Sequence, residues 1–274
     1  MKVVAGLRVG ANKTNMRSEA LTWALRDAGH STDTIGRDTP LPPHTDLYVQ
    51  SGFAPSVSLQ SAIDQRVPYI IMEAPVFRSF DLEHYSSWGY NGLMGGAWRP
   101  TAPEAPRERP ELQPMHEGPQ LIIGQKPTDH SLRGHDHVDW ILNKRVLLPE
   151  ADFRPHPLMV LEGTLEPIEV VLQRYGEVYT YSSTVGVDAI IAGCKAYADS
   201  EHSLLQCYTG CRDTYTAQLS WFQAHHNKYN ELTEYILSGY DEARARMQSG
   251  EYEEPRGKID GRAIQERYHK QIVC

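Results

Sequence analysis

A proline-rich stretch in the middle of the chain most constrains the fold. Five prolines occur between Pro100 and Pro114, with almost no apolar side chains among them. Neither a helix interior nor a central strand tolerates this density, because each proline removes a backbone N–H donor and fixes φ. The stretch therefore predicts a boundary between two structured parts. A chain of 274 residues has room for one large domain or two modest ones, and this boundary favours two.

Apolar runs alternate with helical patterns on both sides of the boundary. Before it, strands are predicted at 3–5, 46–50 and 68–73, and helices at 18–29 and 59–66. After it, the pattern predicts a strand at 120–124, a helix at 166–175, a strand at 177–180, a helix at 183–192 that Gly193 closes, and one or two terminal helices within 214–249. Strands that alternate with helices are typical of a parallel sheet.

We therefore expect an α/β chain of two halves in series. The expected divisions are an N-terminal domain at 1–118, a second domain at 119–224, and terminal helices at 225–274 that pack back on the first domain. No apolar run approaches the roughly 18–20 residues that span a bilayer, and no secretory signal begins the chain. The four cysteines, at irregular spacing, predict neither a disulfide framework nor a zinc site. These features predict a soluble, cytoplasmic protein.

The charge balance argues against a surface built for non-specific nucleic-acid binding. The chain carries 27 basic and 35 acidic side chains, a formal charge of −8. The deficit is uneven: residues 119–224 hold 8 basic and 13 acidic side chains, whereas residues 1–118 hold 11 and 13. An anionic polymer would therefore meet less repulsion on the N-terminal domain.

A hydroxyl-rich turn follows the predicted strand at 177–180. Ser182, Ser183 and Thr184 stand between that strand and the next helix, where hydroxyls and backbone N–H groups face whatever lies beyond the strand. This arrangement suits a phosphate. The alternative is that Ser182 or Ser183 only caps the helix.

Two further loops carry groups that could bind phosphate. In Arg154-Pro155-His156-Pro157, the prolines fix a guanidinium beside an imidazole, and these side chains could hold a diphosphate and donate to a leaving oxygen. The alternative is that these are exposed loop side chains without a role in binding. The loop 124–134 places Gln125, Lys126 and Arg133 between two glycines but lacks the phosphate-loop pattern. Its alternative is a hydrated turn.

The N-terminal domain offers two carboxylates as a general base. Glu73 ends the most apolar predicted strand, and the carboxyl end of a parallel strand is where such sheets place catalytic groups. Asp81 lies in the loop that follows. Either carboxylate could instead cap a helix or pair with Arg78.

Taken together, the Arg154-Pro-His-Pro loop and the segment 181–193 resemble the donor half of GT-B glycosyltransferases. The likeness is to capsule-polysaccharide, Kdo-transferase-like enzymes and to phage-encoded DNA-modifying relatives. It implies two Rossmann-like halves facing a cleft, with C-terminal helices crossing back. It also assigns the donor diphosphate to Ser182, Ser183 and Thr184, and places Arg154 and His156 beside the leaving group. Asp188 stands where the family usually has a glutamate, which puts its ribose contact in doubt.

The resemblance implies transfer of a sugar from a nucleotide diphosphate donor, expected to be UDP-linked. No Asp-x-Asp motif occurs, so we expect Arg154, His156 and helix-terminal N–H groups, not a metal, to stabilise the departing diphosphate. The first hypothesis for the acceptor is a hydroxymethylated pyrimidine in phage DNA, in the host cytoplasm. The candidate DNA contacts are Arg78, Trp88, Tyr90, Trp98, Arg99, Arg107 and Arg109. The alternatives are a glycan or small-molecule acceptor, or a silent nucleotide-sugar binder.

Overall fold

The chain folds into two compact units, each assembled from two separate stretches of sequence. The computed structural model describes residues 1–93, 98–160, 165–255 and 261–273. The first unit comprises Met1–Arg109 and Thr216–Pro255, and the second comprises Pro110–Tyr215 and Arg256–Cys274.

Strands and helices alternate through most of the described chain. The strands, in chain order, are β1 (Lys2–Leu7), β2 (Ser31–Gly36), β3 (Leu47–Ser51), β4 (Tyr69–Glu73), β5 (Tyr85–Tyr90), β6 (Gln120–Ile123), β7 (Asp152–Arg154), β8 (Glu177–Thr180), β9 (Lys195–Ala198) and β10 (Gln223–His225). The α-helices are α1 (Asn12–Asp27), α2 (Val57–Asp64), α3 (His137–Leu147), α4 (Ile168–Val171), α5 (Val185–Ala192), α6 (Arg212–Leu219), α7 (Thr233–Ser238), α8 (Tyr240–Ser249) and α9 (Gly261–Tyr268).

The first unit contains a six-stranded sheet in the order β10-β5-β4-β3-β1-β2. The strands β2, β1, β3 and β4 are parallel, whereas β5 runs antiparallel to both β4 and β10. Successive strand residues point to opposite faces, so the sheet is covered on both sides. Val3 packs with Leu21 of α1 on one face, and Val4 packs with Leu59 of α2 and Met247 of α8 on the other.

The second unit contains a fully parallel sheet in the order β7-β6-β8-β9. Its core also has two sides. Leu121 packs with Val185 of α5 on one side, and Ile122 packs with Val138 of α3 on the other. Tyr268 of α9 joins the second of these clusters and is fully buried.

The terminal segment divides between the units because its apolar residues pack against different sheets. The stretch Thr216–Pro255 supplies β10 and Met247 to the first unit, while Tyr268 packs in the second. The boundaries therefore lie after Arg109 and Tyr215, and the segment after Pro255 belongs to the second unit. These divisions differ from the ones that the sequence predicts, which fall after residues 118 and 224 and place all of 225–274 on the first domain.

Several predicted elements differ in the structure. The range 214–249, expected to hold only helices, contains β10, whose backbone pairs with β5. The helix expected at 166–175 is confined to α4 and a short 3-10 turn at Leu172–Arg174. The first sheet is mixed instead of parallel, because β5 forms from an aromatic and serine-rich stretch that lacks a clear apolar alternation.

Candidate functional site

Loops that carry the predicted donor residues meet at one edge of the second sheet. The strands β6, β7 and β8 are parallel, so their carboxyl ends lie at the same edge. Backbone bonding ties two of these loops together, since the Gly124 N–H donates to the Arg154 carbonyl at 2.8 Å.

Gln125 connects the loop after β6 to the loop after β8. Its Oε1 accepts the Ser182 backbone N–H at 2.8 Å, and its Nε2 donates to the Ser182 and Ser131 hydroxyls, both at 3.1 Å. The Gln125 side chain is buried, so these bonds replace water that it would otherwise bind. The structure thus brings together Gln125 and Ser182. It adds Ser131, whose only sequence signal was its position in the loop 124–134.

The buried side chain of His137 holds the loop after β6 in place through a hydrogen bond to its backbone. Its Nε2 accepts the Gln125 N–H at 2.7 Å, and the ring is 1% exposed and stacks on Trp140. Burial, reinforced by the neighbouring His135, lowers the pKa of His137 to about 3, so the imidazole is neutral and carries its proton on Nδ1. His137 was not among the site residues predicted from the sequence. Its available signal was the preceding Asp136, which caps α3 by accepting from two backbone N–H groups.

Of the residues at the start of α5, Ser183 makes a side-chain hydrogen bond of the capping kind. The Ser183 hydroxyl accepts the Val185 N–H at 3.2 Å, which is the capping role that the sequence left open. Thr184 occupies the N-cap position without a side-chain capping bond, and Asp188 lies in the first helical turn. An acidic side chain there interacts favourably with the helix dipole.

Arg154, the last residue of β7, and His156, in the loop that follows, have different hydrogen-bond partners. The Arg154 Nη2 donates to the Glu166 carbonyl, and burial lowers the pKa of Arg154 while the charges of Glu166 and Glu169 oppose that shift. The guanidinium thus faces the segment before α4. The His156 Nδ1 accepts the Leu158 N–H at 3.2 Å. The neutral ring therefore holds its proton on Nε2 and can donate from that atom.

Arg133 of the loop 124–134 lies close to an aromatic pair, His135 and Tyr181. Arg133 adopts a left-handed backbone at φ 50°, and its charge acts to lower the pKa of Tyr181, against the larger raising effect of burial. His135 stacks on Tyr181 with ring centroids 4.3 Å apart. The Lys126 carbonyl accepts the Asp129 N–H at 2.9 Å and closes the turn between them.

In the first unit, Glu73 lies at the carboxyl end of β4. Its Oε1 accepts the Phe53 N–H at 3.1 Å. Burial lowers the pKa of Arg37, and the charges of Tyr48 and Glu73 counteract this shift, so Arg37 and Glu73 interact electrostatically. Arg37 escaped sequence analysis because it follows β2, a strand without an apolar run.

Asp81 is an exposed turn residue. Its carboxylate pairs with His84 and accepts the Glu83 N–H at 2.8 Å. The His84 hydrogen bond, followed by the Glu83 N–H, lowers the pKa of Asp81. A carboxylate with a lowered pKa is a weaker base.

Two of the expected DNA contacts were wrong. Trp88 and Tyr90 are each 1% exposed and belong to the core of the first unit, so neither ring can stack on a base. They were misassigned because β5 is buried on both faces, which its polar sequence concealed. Arg107 pairs with Glu231 at 3.0 Å, and Arg109 donates to Thr216 at 2.9 Å.

Within 1–93, 98–160, 165–255 and 261–273, no group of three or more His, Cys, Asp or Glu side chains could hold a metal ion. The helices of those same ranges include none that is both long and apolar enough to cross a bilayer.

The architecture matches that of a solved sugar transferase. KpsC, beta Kdo 2,4 transferase, from Thermosulfurimonas dismutans has a TM-score of 0.54 to this chain, with 14% identity over 85% of this chain and 98% of that one. The chain has a GT-B glycosyltransferase fold. The beta Kdo 2,7 transferase of KpsC from the same organism gives a TM-score of 0.48 at 11% identity, over 86% and 99% of the two chains. No protein-family model and no curated protein sequence matches. The similarity to the beta Kdo 2,4 transferase confirms the predicted GT-B-like α/β fold class.

Proposed function

We propose that the chain transfers a glycosyl group from a nucleotide diphosphate sugar to an acceptor hydroxyl. The observation that carries the proposal is the bonding of Gln125 to Ser182 at the carboxyl edge of the second sheet, in a GT-B fold. This is the edge at which open α/β sheets bind ligands.

The donor diphosphate, which we propose is UDP-linked, would lie over this edge. Ser182, Ser183 and Thr184 supply hydroxyls, and Lys126 and Arg133 supply positive charge. In this proposal their charge offsets the acidic balance of residues 119–224, which hold 8 basic and 13 acidic side chains. Arg154 adds a further cation, and Asp188 is proposed to face the ribose.

His156 is proposed to assist the leaving group. As the glycosyl bond breaks, negative charge develops on the terminal phosphate oxygen, and a donor fixed at that position stabilises it. The bond from the Leu158 N–H to Nδ1 keeps the His156 proton on Nε2, which is the tautomer needed for donation. This scheme uses no metal ion.

Glu73 is the proposed general base, and Asp81 is the second choice. Glu73 combines a position at the carboxyl end of a parallel strand with partial burial. Asp81 is exposed, and its pKa is lowered by His84. The base would take the proton of the acceptor hydroxyl as that oxygen attacks the anomeric carbon.

The acceptor proposed from the sequence is a hydroxymethylated pyrimidine of phage DNA. The burial of Trp88 and Tyr90 removes two aromatic contacts from that proposal and leaves Trp98 and the arginines. A glycan or small-molecule acceptor needs none of these residues, and the balance of observations therefore favours it over DNA.

The deciding experiment supplies radiolabelled nucleotide sugars together with hydroxymethylated DNA, unmodified DNA or cell glycans. Label in glycans alone would exclude the DNA acceptor, and label in hydroxymethylated DNA alone would exclude the glycan. Donor binding without transfer or hydrolysis would identify a silent nucleotide-sugar binder and overturn the proposed activity.

Substitution of Arg154 tests the donor site separately. We expect Arg154→Ala to weaken binding of UDP by about tenfold, because a charge-assisted hydrogen bond is lost. Calorimetric titration measures the affinity, and Arg145→Ala, an exposed arginine of α3 in the same unit, is the control. Equal affinities of the two variants would remove Arg154 from the site.

A further inference from the structure

A small cavity lies in the first unit where β5 and β10 pair. Its volume is about 140 Å³, and its lining includes Tyr85 and His225, which face each other across the ladder. Ser87 pairs with Glu73 in the antiparallel register of β5 and β4, so Tyr85 lies beyond the carboxyl end of β4. The cavity thus occupies the same sheet edge as Glu73. Pockets for drug-sized ligands begin at about 300 Å³, so this one suits a single ring.

Aromatic rings form one wall of the cavity. The centroids of Phe80 and Tyr85 are 4.8 Å apart, and Tyr85 meets His225 edge-on at 5.1 Å. Burial and the Glu108 carboxylate raise the pKa of Tyr85 to about 12, so its hydroxyl stays protonated. Such a wall offers flat apolar surface beside a polar group.

The charged residues of the lining neutralise one another. Arg107 pairs with Glu231 at 3.0 Å, and Lys228 pairs with Glu108 at 3.5 Å. The Tyr85 hydroxyl also donates to Glu108 at 2.9 Å. A phosphate or an ammonium ion therefore finds its counter-charge already engaged. A hydroxyl group, by contrast, can donate to a carboxylate and accept from a cation at the same time.

Gln223 contributes a buried donor to the lining. Its side chain is 2% exposed, and its Oε1 accepts the Phe77 N–H at 3.1 Å. Among the described residues, its Nε2 has no hydrogen-bond partner. Because an unsatisfied buried donor is costly, a ligand oxygen at this position would be favoured.

We propose that this cavity binds one uncharged saccharide ring. Gln223 Nε2 would donate to a ring hydroxyl, Phe80 and Tyr85 would pack on the C–H face of the ring, and Glu231 would accept from a hydroxyl at the rim. Binding at this site does not require the transfer reaction. The further inference that the ring belongs to the acceptor rests on the proposed function.

The test titrates methyl glycosides of glucose, galactose, mannose and N-acetylglucosamine into the full chain without any donor. Protein-observed NMR measures binding, and inorganic phosphate is titrated as the charged probe. The test variants are Gln223→Leu, which removes the buried donor, and Glu231→Gln, which removes the charge of an exposed rim group and weakens its ion pair with Arg107. Glu234→Gln, a charge removal at an exposed position outside the cavity, is the control.

We expect at least one glycoside to bind saturably, with affinity reduced about tenfold by Gln223→Leu, reduced less by Glu231→Gln and unchanged by Glu234→Gln. If Gln223→Leu fails to fold, Glu231→Gln decides the outcome. The proposal is overturned if no glycoside binds, if only phosphate binds, or if Glu231→Gln and Glu234→Gln behave alike. Glycoside binding without any transfer activity would leave the cavity assigned and remove the proposed function.

Discussion

At the scale of single residues, Gln125 holds two loops of the second sheet in place. We expect Gln125→Ala to lower the free energy of unfolding by about 1–3 kcal/mol, because the part-buried Ser182 N–H loses its acceptor and the Ser182 and Ser131 hydroxyls keep only their bonds to each other and to the Ser131 carbonyl. Gln125→Glu should cost at least as much, because it places a carboxylate at a position that is only 4% exposed, and burial of a charge is costly even where an N–H and two hydroxyls donate to it. Urea denaturation measures both values. A Gln125→Ala variant as stable as the parent would show that the two loops do not depend on this bridge.

The buried His137 makes the second unit sensitive to acid. Its pKa is about 3 in the folded chain, against roughly 6.5 when unfolded. Below pH 6.5 the unfolded chain therefore binds a proton that the folded chain excludes, so stability is lost progressively as the pH falls from 6.5 towards 3. At pH 4.5, two pH units below the unfolded pKa, we expect this loss to reach roughly 2.7 kcal/mol.

His137→Gln separates this titration from the hydrogen bond, since glutamine offers an acceptor for the Gln125 N–H but does not titrate. Urea unfolding at several pH values should show a shallower acid decline for this variant. His130→Gln, an exposed histidine of the same unit, is the control and should leave the slope unchanged. His226 of the first unit, with a pKa lowered to about 4 mainly by burial, should retain its own part of the decline.

At the scale of elements, the C-terminal end of α5 packs directly against the proline-rich segment. Gly193 closes the helix at φ 96°, and a Cβ there would meet the Pro114 carbonyl oxygen at 2.1 Å. The Gln113 N–H also donates to the Ile191 carbonyl at 2.8 Å. The prolines that mark a boundary in the sequence therefore contact the helix that follows the hydroxyl-rich turn.

Two glycines with nearly the same backbone allow this contact to be measured. Gly210 has φ 95° and nothing within 4 Å of a Cβ, so Gly210→Ala should cost only about 1–2 kcal/mol for the left-handed conformation. Gly193→Ala carries the same backbone cost and adds a backbone clash, so its loss of unfolding free energy should be clearly larger. Urea denaturation measures the free energy of unfolding of both variants. Equal losses would contradict a close backbone contact at Gly193.

Elements that could be predicted from the sequence share one property, which is an apolar run that encodes their burial. β3, β4 and β6 lie within one residue of their expected bounds. β5 and β10 were not predicted, because their residues YSSWGY and QAH form strands by pairing with partners distant in the chain. Within the candidate site, Gln125 and Ser182 could be identified from their loops. His137 could not, because its role depends on a bond to Gln125 that only the fold creates.

At the scale of the whole molecule, each unit has its own core, and the last residues contribute to both. Met247 packs in the first unit, and Tyr268 packs in the second. The proline-rich stretch contains the division after Arg109, but the division of the terminal segment depends on which sheet each apolar side chain reaches. The local sequence does not indicate which of the two sheets an apolar side chain packs against.

Because the two units have separate cores, a core substitution in one unit should reduce the protection of backbone amides from hydrogen exchange in that unit alone. Tyr268→Ala removes a fully buried ring from the second unit and should cost about 3–5 kcal/mol there. Amide exchange should then accelerate in β6 and β8 and remain unchanged in β1 and β3. Met247→Ala, a fully buried residue of the first unit, should give the reverse pattern at a cost of about 2–5 kcal/mol. If either variant accelerates exchange equally in both sheets, the two units unfold as one cooperative structure, and the independence of their cores is excluded.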